Sequence, residues 1–235
     1  MSFFQFKQFD IQHDKSSMKV GTDAVLLGAW TDIGAVNSIL DIGSGSGIIA
    51  LMMAQRTSAQ IVGVDIDDAS VEEARLNAEN SAWKNRIQFH CTSIQRFCEE
   101  KNKNAFDLIV SNPPFFVNSL KSPLDGRNHS RHTDTLPFSD LVAAAAYCLS
   151  EMGTFALILP SIHEEQMEKL CHRNHLFCYR KLRICPKDGK AENRVLLQFK
   201  HKKEPLCEEG LNLRNADNSY TDNYKKLTKD FYLYF

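Results

Sequence analysis

The sequence predicts an α/β fold in which a mostly parallel sheet is covered by helices on both faces. Short apolar runs of strand length recur along the chain, and segments with helical periodicity follow several of them. This alternation is typical of parallel sheets with two buried faces. A glycine-rich turn also joins the first apolar run to a helix start. The 235 residues suffice for one large domain, so we expect a single domain over residues 1–235.

The elements can be assigned in order along the chain. After an aromatic N-terminal segment, Thr22 or Asp23 can cap a helix that runs to Trp30 and buries an apolar face. Seven strands are predicted, and they span residues 38–42, 60–64, 86–91, 106–111, 153–159, 177–184 and 193–200. The clearest helices span residues 48–56, 68–81 and 138–150. A turn at 186–189 joins the last two strands, which we expect to pair antiparallel at the end of the sheet.

The charge balance excludes a generally basic nucleic-acid coat protein. The formal net charge is −1 at pH 7 and the pI is about 6.7, so an anionic partner must be held by a local patch. Residues 180–203 carry nine basic and two acidic residues, a local excess of seven. This basic segment is a candidate phosphate-binding surface, although a solvated strand edge protected by lysines explains it equally well.

The cysteines and the apolar runs indicate where the protein works. Seven cysteines without a C-x-x-C pair favour a reducing compartment over a disulfide framework, and their spacing fits no familiar zinc pattern. The N-terminus lacks a signal-peptide pattern, and no apolar stretch approaches the about 20 residues that span a bilayer. We therefore expect a cytoplasmic protein without a metal site or a membrane span.

The glycine-rich turn predicts a cofactor site. Gly43, Gly45 and Gly47 let the backbone bend sharply and approach a ligand closely. Asp65 ends the next predicted strand, about 20 residues further on, where an acidic side chain typically binds ribose hydroxyls. A nicotinamide fingerprint would need Gly or Ala at position 48, and this chain has Ile48. A dinucleotide-linked dehydrogenase is therefore disfavoured.

A second motif, residues 112–115, follows the predicted strand 106–111. The side-chain oxygen of Asn112 and the carbonyl of Pro113 can both accept hydrogen bonds from one NH2 group. Pro113 and Pro114 fix the backbone and remove two N–H donors, while Phe115 offers a face for stacking. The motif thus indicates an enzyme that holds a planar amino nitrogen.

The long polar stretch 116–137 shows no apolar periodicity, and loops of this length in a compact domain are often functional. Its position directly after the 112–115 motif predicts a substrate-side loop. Basic character comes from Arg127, His129, Arg131 and His132. A surface loop without a role would have the same composition.

Taken over the whole chain, the sequence resembles the bacterial tRNA(Val) adenine-N6 methyltransferases. The glycine loop introduced by Asp41 resembles the S-adenosylmethionine loop of class I methyltransferases, a wider group with a Rossmann-like fold. The stretches that carry the resemblance are 6–9, 18–23, 27–30, 41–47, 50–56, 112–115, 194–197 and 231–233. Residues 19–30 and the C-terminal stretch are the most particular to the family, because the other motifs are shared by many methyltransferases.

The resemblance implies a function and a set of site residues. The implied reaction is methyl transfer from S-adenosylmethionine to N6 of adenine 37 in the anticodon loop of tRNA, by an enzyme that we expect to be a monomer. The implied catalytic residues are Asn112, Pro113, Pro114 and Phe115. The implied cofactor-binding residues are Lys19, Thr22, Asp41, Gly43, Ser44, Gly45, Gly47, Asp65, Ile66, Ser93, Ile94 and Asn112. The implied substrate contacts are Phe116, Arg127, Arg131, Arg183 and Arg194, and segment 1–32 is expected to close over the cofactor.

Two positions depart from the family pattern, and other functions fit the same motifs. Relatives often carry Asp where this chain has Ser93 and Tyr where it has Phe115. A guanine-N2 methyltransferase of ribosomal RNA and a protein glutamine methyltransferase also hold a planar NH2 group. A binding module that kept the fold without catalysis is a further alternative, which the intact glycine loop and Asn112 disfavour.

Overall fold

The computed structural model describes residues 3–16, 19–99, 102–114 and 136–234. Its helices are α1 (Thr22–Trp30), α2 (Ile48–Arg56), α3 (Asp68–Glu79), α4 (Ile94–Glu99), α5 (Phe138–Cys148), α6 (Glu164–Arg173) and α7 (Asp222–Thr228). Its strands are β1 (Phe3–Gln5), β2 (Asp10–Gln12), β3 (Ser38–Ile42), β4 (Gln60–Asp65), β5 (Ile87–Cys91), β6 (Phe106–Ser111), β7 (Leu149–Pro160), β8 (Phe177–Cys185), β9 (Arg194–Lys200) and β10 (Cys207–Asn212). Short 3₁₀ turns span Lys84–Arg86 and Ser161–His163.

The central sheet has eight strands in the order β10-β8-β9-β7-β6-β3-β4-β5. Strands β3 to β7 run parallel, whereas β9 lies antiparallel between β7 and β8. Ile42 of β3 is in register with Val64 of β4 and with Ser111 of β6. The carboxyl ends of these three strands therefore lie side by side, and the loops that follow them meet at one edge of the sheet.

Apolar side chains fill both faces of the sheet. One buried cluster joins α1, α2 and α3 to the sheet, and a second joins α4, α5 and α6 to the opposite face. Consecutive residues of β3 show the alternation, because Ile39 belongs to the first cluster and Leu40 to the second. Helices cover both faces of the sheet, whereas the carboxyl ends of β3, β4 and β6 lie at an edge that loops surround.

All seven predicted strands are present, and the antiparallel pairing of the last two is confirmed. The sheet contains one strand more than predicted, because β10 pairs in parallel with β8. Its sequence shows no apolar alternation, since only Leu211 is buried. Helices α4, α6 and α7 were also missing from the prediction.

The prediction that Thr22 or Asp23 caps the first helix is wrong. Gly21 is the N-cap of α1, and no side chain donates or accepts a capping hydrogen bond there. The Asp23 carboxylate instead accepts a hydrogen bond from Nε of Arg194, at 2.8 Å. An ion pair with β9 is therefore what holds this carboxylate at the start of the helix.

Candidate active site

The glycine loop between β3 and α2 folds across the end of β4. The N–H groups of Gly43 and Ser44 both donate to the Val64 carbonyl, at 2.8 and 3.2 Å. Gly43 and Gly45 have φ angles of 72° and 51°, which side-chain-bearing residues rarely adopt. A Cβ atom at either position would meet no other atom within 4 Å. The loop backbone therefore faces open space in which a ligand can lie against it.

Gly47 is required for packing, and its contact with the cofactor stays a prediction. Its φ angle is 81°, and a Cβ atom there would come within 2.7 Å of the Phe89 ring. The third glycine of the motif thus lets α2 start close against β5, while the first two keep the loop surface clear.

Asp65 is held at the end of β4 by backbone donors. The N–H of Gly45 donates to Oδ2 at 2.8 Å, and the N–H of Asp67 donates to Oδ1 at 3.0 Å. Each carboxylate oxygen keeps a lone pair for a further donor. The half-buried carboxylate can therefore accept hydrogen bonds from a diol placed over the glycine loop.

Asp41 is fully buried beneath the same loop. The N–H of Ala50 donates to its Oδ2 at 3.1 Å, and Oδ1 has no hydrogen-bond partner among the described residues. Burial raises the pKa of this carboxyl to about 7, with the Ala50 N–H opposing the rise and the charge of Asp65 adding to it. An unsatisfied buried oxygen at the cofactor loop fits a ligand that brings its own donor.

The turn after β5 contains Ser93 and Ile94, two of the predicted cofactor-binding residues. The N–H of Thr92 donates to the Asp65 carbonyl at 2.9 Å, which brings this turn beside the acidic residue. The Ser93 hydroxyl accepts from the N–H of Arg96 at 3.2 Å and can still donate. Ile66 is 46% exposed, whereas Ile94 is 4% exposed within the second core cluster. The Ile66 side chain can therefore cover a flat ring, but only the backbone of Ile94 can reach one.

Asn112 follows β6 at the same edge of the sheet. Its Oδ1 is buried and has no hydrogen-bond partner among the described residues. The Ser111 hydroxyl donates to the Ile42 carbonyl at 2.9 Å, which fastens the end of β6 to the end of β3. An unpaired buried oxygen costs about 1–3 kcal/mol, so this position is prepared for an incoming donor. Phe115, Phe116, Arg127 and Arg131 lie outside the described residues.

Comparison with known proteins identifies the family. A family model described as a methyltransferase domain matches residues 35–211. A tRNA1(Val) (adenine(37)-N6)-methyltransferase of Phocaeicola vulgatus is 44% identical over 231 residues, which cover 98% of this chain and 97% of the relative. The chain belongs to this methyltransferase family. Another member, from Haemophilus influenzae, is 43% identical over 237 residues and covers 100% of both chains.

Solved structures confirm the fold expected of a class I methyltransferase. A predicted O-methyltransferase from Agrobacterium tumefaciens superimposes with a TM-score of 0.71 at 19% identity, over 89% of this chain and 96% of that one. A methyltransferase domain of this fold implies a methyl donor of the S-adenosylmethionine type. The open glycine loop, the Asp65 carboxylate and the unsatisfied Asp41 oxygen fit such a donor, whose ribose and amino group bring hydrogen-bond donors.

The N-terminal residues of this methyltransferase lie outside the glycine loop itself. Lys19 is exposed, and its Nζ donates to the carbonyl of His13. Thr22 is the exposed first residue of α1. Their contact with the cofactor stays a prediction. Sequence reasoning missed Glu73 and Asn77 of α3, which hold residues 12–16 in place, because neither belongs to a recognisable motif.

Several side chains of the basic segment 180–203 form ion pairs with carboxylates. Arg183 pairs with Glu164 at 2.8 Å, with Glu192 at 3.2 Å and with Glu208. Lys181 pairs with Glu164 and Glu168, and Arg194 pairs with Asp23. Carboxylates of α6 and β10 therefore pair with part of this basic segment, and its role as a phosphate-binding surface stays a prediction. RNA contacts by Arg183 and Arg194 stay predictions.

Among the described residues, no helix combines the length and the apolar character needed to cross a bilayer. In the same part of the chain, no three His, Cys, Asp or Glu side chains form a group that could hold a metal ion.

Proposed function

We propose that this protein transfers the methyl group of S-adenosylmethionine to N6 of adenine 37 in the anticodon loop of tRNA(Val). The observation that carries the proposal is the near full-length identity of 41–44% to methyltransferases named for this reaction. The unpaired Oδ1 of Asn112 supports it, because a planar amino group is the donor that this acceptor lacks. The NH2 group of adenine meets that need.

The cofactor would lie along the glycine loop. Asp65 would accept hydrogen bonds from the ribose hydroxyls, and the Asp41 carboxylate would favour the ammonium end of the methionine portion. Ile66 and Ser93 would contact the adenine ring, the first through its exposed side chain and the second through its hydroxyl. Lys19 and Thr22 would close over the methionine end. When bound, the cofactor supplies a methyl group on a positively charged sulfur.

The substrate nitrogen is a poor nucleophile because its lone pair is delocalised into the ring. Asn112 Oδ1 and the Pro113 carbonyl would accept hydrogen bonds from its two N–H groups. This arrangement would favour a pyramidal nitrogen. The same acceptors would stabilise the positive charge that develops on this nitrogen in the transition state. Holding nitrogen, methyl and sulfur in line supplies the remaining acceleration. The methylated nitrogen is acidic enough to lose its proton afterwards, so no dedicated base is required.

The base must leave its stack to reach this acceptor pair. Unstacking is easiest in a single-stranded loop, which favours an anticodon loop as the substrate. Phe115 and Phe116 would replace the lost stacking, and base–aromatic stacking contributes about 1–3 kcal/mol per base. Arg127 and Arg131 of the substrate-side loop would contact phosphates.

The setting of the reaction is part of the same proposal. The sequence carries seven cysteines without a C-x-x-C pair, which favours a reducing compartment. A tRNA substrate requires access to the cytoplasm. We infer a cytoplasmic enzyme that works as a monomer, which light scattering of the pure protein would test.

The direct test is methyl transfer from labelled S-adenosylmethionine into total tRNA, ribosomal RNA and protein from a strain that lacks this gene. We expect label in one tRNA, recovered as N6-methyladenosine after nucleoside digestion. A tRNA(Val) transcript with guanine at position 37 should accept no label. Label recovered as N2-methylguanosine in ribosomal RNA, or in protein, would overturn the substrate and leave the fold and cofactor intact.

A further inference from the structure

Two buried polar residues of α3 attach the N-terminal segment to the rest of the molecule. Glu73 and Asn77 are each 2% exposed and lie four residues apart, so their side chains share one face of the helix. Burying two polar side chains on one helix face is costly unless each is hydrogen-bonded. Here their partners are backbone groups of residues 12–16 and of the glycine loop.

Asn77 connects the N-terminal strand β2 to the cofactor loop. Its Nδ2 donates to the Gln12 carbonyl and to the Ser46 carbonyl, both at 2.9 Å. Its Oδ1 accepts from the Gln12 N–H at 2.8 Å. Both donors and one acceptor of the amide are thus in use. The Asn77 side chain is therefore hydrogen-bonded both to Gln12 and to Ser46 of the glycine loop.

Glu73 holds the next residues of the segment. Its Oε1 accepts from the N–H of Lys15 and its Oε2 from the N–H of Ser16, each at 2.9 Å. Burial would raise the pKa of this carboxyl, but the Lys15 and Ser16 donors lower it below its ordinary value. The carboxylate therefore stays charged at neutral pH and fixes residues 15–16 against α3.

These hydrogen bonds connect the glycine loop to the segment that precedes Lys19, a predicted cofactor-binding residue. Asn77 and Glu73 place residues 12–16 against α3, and Lys19 bonds back to His13 of the same stretch. The Ser46 carbonyl belongs to the loop whose surface is open at Gly43 and Gly45. The Asn77 amide is therefore hydrogen-bonded to the glycine loop at Ser46 and to β2 at Gln12.

We propose that Asn77 and Glu73 are positioning residues that couple the glycine loop to residues 10–16, so that cofactor binding and docking of this segment stabilise each other. The inference rests on the proposed use of S-adenosylmethionine. Coupling of this kind is reciprocal, because a segment that stabilises the bound loop must itself be stabilised by the bound ligand. If the attachment were only structural, the segment would be held equally well with and without bound cofactor.

The first test is hydrogen–deuterium exchange of the wild-type protein with and without S-adenosylhomocysteine. We expect the product to slow exchange at the glycine loop and also at the N–H groups of residues 12, 15 and 16. Protection confined to the glycine loop would overturn the proposal. This measurement needs neither a variant nor an RNA substrate.

The second test uses variants of the same helix. N77A removes all three hydrogen bonds, and N77D keeps the acceptor but places a charge against two carbonyl oxygens. For both we expect the Kd for S-adenosylhomocysteine to rise at least about ten-fold, and the protection of residues 10–16 by the ligand to disappear. E73Q should give a smaller rise, since it keeps one of two acceptors. The KM for tRNA should change less than the KM for the methyl donor.

Matched controls lie on the same helix. Glu79 is exposed, and among the described residues no hydrogen bond or ion pair joins it to residues 10–16, so E79Q should leave both affinity and protection unchanged. The exposed Asn80 ends the helix, and N80A should also behave as wild type. Lower thermal stability in N77A with ligand affinity unchanged within two-fold would overturn the proposal. A wrong RNA product would defeat the proposed function alone, because the ligand-binding and exchange results do not depend on the substrate.

Discussion

The carboxyl ends of β3, β4 and β6 differ sharply from the edge formed by β8 and β10. At the first region, buried oxygens of Asp41, Ser44 and Asn112 have no hydrogen-bond partner among the described residues. At the second, Arg183 and Lys181 are surrounded by carboxylates. A buried acceptor without a partner can accept a hydrogen bond from a ligand, whereas a cation already paired with carboxylates is less available to one. A count of charges along the sequence does not show which of them are paired in the folded protein.

The largest effect should come from N112A. Removing the amide takes away one of two acceptors for the amino nitrogen in the transition state, and loss of one such group in other enzymes costs about 100- to 1,000-fold in rate. Single-turnover methyl transfer to tRNA measures it. The Kd for S-adenosylhomocysteine should stay within a few-fold of wild type. Turnover near the wild-type rate would show that the unpaired oxygen of Asn112 is not the acceptor.

A smaller effect is expected for D65N, which acts on cofactor binding. The carboxylate accepts charge-assisted hydrogen bonds, and each contributes about 1.5–3 kcal/mol. The Kd for S-adenosylhomocysteine should therefore rise about 10- to 100-fold by calorimetry. The nearby exposed Asp68 offers a control, and D68N should bind like wild type. Equal affinity of D65N and wild type would remove Asp65 from the ribose site.

For the second region we expect a change in stability without a change in chemistry. Glu164 is 14% exposed and pairs with both Lys181 and Arg183, so E164Q leaves two cations partly uncompensated. The free energy of unfolding should fall by about 1–3 kcal/mol, below the range for a fully buried pair. E165Q is the matched control, because Glu165 is 81% exposed. A loss of kcat/KM in E164Q at temperatures where it is folded would link this region to substrate.

The pH dependence of cofactor binding should show the smallest effect. Burial raises the pKa of Asp41 to about 7, above its unfolded value of 3.8. The folded state thus binds more protons than the unfolded state between these two values, so Asp41 makes the unliganded protein less stable as pH rises towards 7. The ionised carboxylate in turn favours an ammonium group.

Two curves test this prediction against D41N. The stability difference between D41N and wild type should grow in favour of D41N from pH 5 to pH 7 and then level off. The affinity of wild type for S-adenosylhomocysteine should rise several-fold from pH 6 to pH 8, and that of D41N should rise less. Parallel curves for the two proteins would show that another group titrates.

The part of the fold that carries the candidate site was predictable from the sequence, because short local patterns mark its strands and helix. Strands β3 and β6 and helix α2 begin and end at the predicted residues, since continuous apolar runs are bounded there by turn residues. Strand β10 was missed because it is an edge strand with one buried side chain. The capping role expected of Asp23 was wrong because a distant arginine competes for its carboxylate.

The strand–helix alternation, the glycine loop, Asp65 and the 112–115 motif can be recognised from the sequence, because each depends on neighbours within a few residues. Which charges form ion pairs, and how the N-terminal segment is held, depend on contacts that form when the chain folds. Arg183 meets Glu208 across 25 residues, and Asn77 meets Gln12 across 65. Partners this far apart leave no pattern in the chain, since folding alone brings them within hydrogen-bond distance.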